Sequence, residues 1–147
     1  MTSTPDTHIG ERARARRLRT FLNDCAGSGA AEEIGRVREA VQELALDVTG
    51  KSFLDVDAVH AMLDSGAAMS AVLELMGSDI RFMLSRGAHD SCLASVLTNE
   101  GTEESLAEGP TLALALLGAH VAAVLARIER GTQLTEAHSS GTSLRLH

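Results

Sequence analysis

The longest uninterrupted apolar pattern runs from Gly109 to Gly131, GPTLALALLGAHVAAVLARIERG, and Leu112 to Ala126 holds no formal charge. Pro110 suits a first helical position, where a missing N–H costs nothing. Gly131 suits a helix stop, with Arg127 and Arg130 where the helix dipole favours cations. The charge-free part is about two dozen Å of helix, short of the roughly 30 Å hydrocarbon core of a bilayer. It therefore reads as a buried central helix with no membrane span. Its seam is Leu114, Leu117, Val121, Val124 and Ile128.

Two more seams alternate spacings of three and four, as packed helices do. One is Ile34, Val37, Val41, Leu44 and Val48, in a helix expected over residues 30–49. The other is Val59, Met62, Gly66, Met69, Leu73, Met76, Ile80 and Met83, with Asp55 or Asp57 as its cap. Ser65-Gly66 and Gly77-Ser78 interrupt it, so the pattern predicts one long kinked helix to Arg86 or two or three collinear pieces. A first helix is expected from His8 to Asp24, broken by Gly27-Ser28-Gly29. A short helix is expected from Asp90 to Thr98, and the acidic stretch from Asn99 to Gly109 reads as loop with one helical turn. No run sustains period two. The expected fold is all-α: an antiparallel helical bundle of four or more helices over residues 8–131, with a flexible arm at 1–7 and a flexible tail at 132–147.

Composition sharpens this picture in two ways. Hydrophobic residues make up 44% of the chain but aromatics only 2%, so the core must be aliphatic. The formal charge of −7 is polarised: residues 1–26 carry five arginines against Asp6, Glu11 and Asp24, a net of +2, which leaves −9 for the rest. Arg12, Arg14, Arg16, Arg17 and Arg19 thus form a positive helix, expected to bind an acidic protein partner. The overall negative charge, with no aromatic stacking platform beside those arginines, argues against nucleic acid. Arg16-Arg17 is followed by Asn23-Asp24-Cys25, not by an apolar export segment, so a cytoplasmic location is expected. Cys25 and Cys92 make no CxxC motif and read as reduced thiols. Twelve arginines against one lysine suggest a GC-rich bacterial genome.

Few residues invite chemistry. Met62, Met69, Met76 and Met83 lie about 10 Å apart along a helix, too far to share a metal ion. Asp57, His60 and Asp64 share a helix face but offer one imidazole, and that face is expected in solvent. His89, Asp90 and Cys92 are too local for a nucleophile–base pair. His120 stands alone in the apolar central helix. The expected function is therefore a small non-enzymatic protein, an adaptor or regulator, acting by protein–protein interaction, with no catalytic residue, metal or cofactor. The alternative is a small-molecule or haem-binding protein using Met69, Met76 and His120. A homodimer is expected as well. The side of the central helix opposite its seam carries Ala115, Ala119, Ala122 and Ala126 and no charge, so a second surface must cover it, either another helix of the same chain or, as favoured here, the same helix of a second subunit.

Overall fold

The structure, a computed structural model, describes residues 5–45, 54–98 and 101–144. The order of elements is α1 (Pro5–Ala26), a 3-10 turn (Ala30–Glu32), α2 (Glu33–Ala45), α3 (Val56–Asp64), α4 (Ala68–Met76), β1 (Arg81–Arg86), β2 (Cys92–Thr98), β3 (Glu103–Gly109) and α5 (Leu112–Leu144). The three strands form an antiparallel meander in the order β1-β2-β3. The chain is mixed α/β, which overturns the all-α helical bundle expected from the seams.

The correction falls between Ile80 and Gly109. The punctuation at Ser65-Gly66 and Gly77-Ser78 marks true ends of elements, not kinks. Asp55 caps α3, its side chain accepting from the Ala58 N–H at 3.0 Å. Gly77 closes α4 at φ 83°, a left-handed conformation that glycine adopts without a Cβ clash. The chain then leaves as strand. Arg81–Arg86 and Cys92–Thr98 pair in register, Phe82 with Val96 and Leu84 with Ala94. His89 and Asp90 turn the hairpin with φ of 61° and 57°, without the Asn-Gly or Asp-Gly signal that usually announces such a turn. The acidic stretch expected as loop supplies β3, with Ala94 opposite Ala107 and Val96 opposite Ser105.

The sheet exists because α5 has no polar face to give to water. Every residue from Ala113 to Val121 is buried. α5 packs on β2 and β3, and also on α1, α2 and α4, so it lies between the sheet and the helices. Its Leu114, Leu116, Leu117 and Val121 join Leu18, Phe21, Val37, Val41, Val59, Leu63 and Val72 in one core. Against the sheet the contact is between small residues. A Cβ placed on Gly118 would stand 3.0 Å from the Cβ of Ala107, and one on Gly109 would stand 3.0 Å from the amide nitrogen of Ala115. Two further expectations about this helix are corrected. Thr111, not Pro110, opens it, its hydroxyl accepting from the Leu114 N–H at 3.1 Å. The helix also passes through Gly131 and continues to Leu144.

Glycine inside a helix ordinarily costs up to about 1 kcal/mol relative to alanine. Gly35 on α2 is exposed with open space around it, so Gly35→Ala should gain most of that. Gly118→Ala should not, because its new methyl meets Ala107, and Gly118→Val should lose about 1–3 kcal/mol through overpacking. Chemical denaturation of the three variants checks this. A stabilised Gly118→Val would mean that α5 does not lie against β3.

Candidate functional site

Strand pairing fixes which face of the sheet each residue occupies. Cys92, Ala94 and Val96 of β2 point toward α5 and are buried. Their partners Phe82, Leu84, Ser105, Ala107 and Gly109 share that inner face. Glu103 also belongs there and accepts an ion pair from Arg130 of α5. The outer face is built from three cross-strand rows. Arg81, Leu97 and Glu104 form the first; Met83, Ser95 and Leu106 the second; Ser85, Leu93 and Glu108 the third.

The outer face also carries large apolar side chains. Met83 is 68% exposed, Leu106 58% and Leu93 39%, with Leu97 half-buried beside them. Ser95 sits at the centre of the middle row and is buried there. The charges stand at the margins, Arg81 on β1 and Glu104 and Glu108 on β3. A solvated face of an antiparallel sheet normally alternates to polar residues, and here it does not. Sequence reasoning missed this surface. It placed Met83 in a helical seam and Leu106 in an acidic loop.

Arg17 and Arg19 of α1 are paired within the chain. Arg17 Nε donates to Glu43 of α2 at 3.1 Å, and Arg19 pairs with Glu129 of α5. Arg14 is half-buried with its Nε unpartnered, and Arg12 and Arg16 are exposed on the helix surface. Arg16 and Arg17 also line an open cleft between α1 and α2 together with Asp24, Glu39 and Glu43, so the cleft mixes both signs of charge.

The alanine face of α5 divides. Ala115 and Ala119 are fully buried within one chain, Ala122 is half-buried, and only Ala126 of the four is exposed. The second surface that the sequence demanded over the central helix is supplied at Ala115 and Ala119 by the chain itself. Leu112–Gly131 is long and apolar enough to cross a membrane by length and composition, but most of it is enclosed by the sheet and the helices.

Met76 is buried in the core and Met69 half-buried, both on α4, while Met83 lies on the sheet's outer face. Neither the cleft between α1 and α2 nor the one at the sheet's end around Arg81, Thr98 and Arg127 includes Met69, Met76 or His120. His60 and Asp64 are engaged by Arg38 of α2, whose guanidinium reaches His60 Nδ1 at 3.0 Å and Asp64 Oδ1 at 2.5 Å. Because guanidinium only donates, His60 Nδ1 is the acceptor in this contact. A cation on that stripe competes with any metal. Among the described residues no group of three or more His, Cys, Asp or Glu side chains is placed to hold a metal ion. His89 and Asp90 are exposed at the hairpin tip while Cys92 is buried on the inner face, so the three do not converge. Cys25 is buried with its Sγ 4.0 Å from the Leu114 carbonyl oxygen, and burial pushes its thiol pKa up. A thiol held protonated in this way is a poor nucleophile.

His120 is buried and its Nδ1 has no hydrogen-bond partner. Desolvation, assisted by the positive charge of Arg127, lowers its pKa from 6.5 to about 4. No family model, curated protein or solved structure matches this chain.

The His120 geometry sets a pH dependence. The folded state holds the imidazole neutral, whereas the unfolded chain takes up a proton near pH 6.5. Its contribution is complete above pH 6.5 and is lost as pH falls toward 4, by about 3 kcal/mol across that window. His120→Leu removes an unpartnered polar atom and should be neutral or stabilising at pH 7.5. It should also flatten the acid limb of stability. Urea denaturation of both proteins between pH 7.5 and 4.5 checks this, and identical acid limbs would show that His120 is solvated or paired.

Proposed function

We propose that the chain is a non-enzymatic interaction protein, an adaptor or regulator, that acts by burying the outer face of its sheet against another protein. The observation that supports this reading is the exposed set Met83, Leu93 and Leu106 on a sheet whose inner face is already used by α5. Exposed apolar patches with charged margins are characteristic of protein–protein contact surfaces. The arginine helix supports the reading less, since Arg17 and Arg19 already have carboxylate partners on α2 and α5. The two clefts described above are open, carry charged residues and are not lined by Met69, Met76 or His120.

Met83 and Leu106 are exposed enough to be replaced without opening the core. The double variant Met83→Asp, Leu106→Asp should keep its helical and strand dichroism and lie within about 0.5 kcal/mol of wild type. It should lose association with other protein chains, read by light scattering of the purified protein and by chemical cross-linking in an extract of the native host. Association undiminished in this folded double variant would remove the sheet face from the proposal.

A further inference from the structure

Building on that reading, we infer that the partner of the outer sheet face is a second copy of this chain, docked face to face about a two-fold axis parallel to β2. The argument is one of register and charge. Arg81, Leu97 and Glu104 stand at one level across the sheet, and β2 is its middle strand. A two-fold axis running along β2, between two stacked sheets, lays β1 of each copy over β3 of the other without changing level. Arg81 then lies over Glu104 of the second copy, and the same contact repeats on the far side of the axis. Met83 lies over Leu106, the two most exposed apolar side chains of the patch. Ser85 lies over Glu108, and Leu93, Ser95 and Leu97 meet their own counterparts. Stacked sheets pack about 10 Å apart with strands within roughly 30° of each other, a gap that Arg and Glu side chains span.

Two other two-fold arrangements of this sheet bring like charges together. An axis in the sheet plane but perpendicular to the strands lays β3 over β3 and sets Glu104 over Glu108. Antiparallel edge pairing of β3 with its copy, centred on Leu106, opposes Glu104 to Glu108. The β3 edge is therefore guarded by charge, whereas the face is self-complementary in charge. Three strands about 4.8 Å apart and about 20 Å long give a footprint of roughly 300 Å² per copy, which belongs to the weak class of interfaces. Sedimentation velocity up to on the order of 100 μM covers that class.

The test is a charge swap at two exposed positions. Wild type should form dimers with rising concentration. Arg81→Glu and Glu104→Arg, each alone, should weaken dimerisation by roughly tenfold or more, since each places two like-charged contacts across the axis. An equimolar mixture of the two variants should recover wild-type association, because both contacts are again between opposite charges. Recovery in the mixture also shows that neither variant is misfolded. Wild type that stays monomeric at the highest concentration overturns the inference, as do single variants that dimerise like wild type or a mixture that fails to recover. A monomeric wild type whose association with other proteins is still lost in Met83→Asp, Leu106→Asp would leave the interaction reading standing and remove self-association alone.

Discussion

The structure depends on covering one helix on all sides. Leu112 to Ala126 offers no charged side chain, and Ala113 to Val121 is buried without a break. At about 25 cal/mol per Å² of apolar surface, leaving one side of such a helix in water would cost more than a chain of this size could offset. α1, α2 and α4 supply one cover and the meander supplies the other. Ion pairs from Arg19 to Glu129 and from Arg130 to Glu103 fasten the exposed part of α5 to the helices and to the sheet respectively.

That constraint also shapes the sheet. To approach α5 closely, its inner face uses small residues such as Ala94, Ser105, Ala107 and Gly109, matched by Gly118 on the helix. Phe82, Leu84 and Val96 also lie on that face, while Met83, Leu93 and Leu106 stand on the outer one. The proposed function rests on that outer surface, whose charges stand only at its margins.

Much of the helical half was legible in the sequence. The break at Gly27-Ser28-Gly29, the cap at Asp55, the seam through Val37 and Val41, and the interruptions at Gly66 and Gly77 all correspond to features of the structure. The sheet was not legible, for a physical reason. Its strands are written in Arg, Met, Leu, Ala and Glu, residues of good helical propensity, and both faces carry apolar side chains, which erases period two. In β3 the pattern is even reversed, with small Ser105 and Ala107 facing in and Leu106 facing out. Met76 and Met83 keep a seven-residue spacing that looks like one helical seam, yet one is in the core and the other on the sheet. The exposed outer face was missed with the strands that carry it, and the uncharged alanine face is covered at Ala115 and Ala119 within one chain, one of the two arrangements the sequence left open.

Those two methionines give the most direct measurement of the account. In dilute solution, where a weak dimer is dissociated, limited peroxide oxidation followed by peptide mass spectrometry reports the exposure of each thioether separately. With Met83 on the outer sheet face and Met76 in the core, Met83 should be oxidised well before Met76, with the half-buried Met62 and Met69 between them. Equal protection of Met76 and Met83, as a single helical seam would require, would contradict the sheet, its inner seal on α5 and the surface proposed on its outer side.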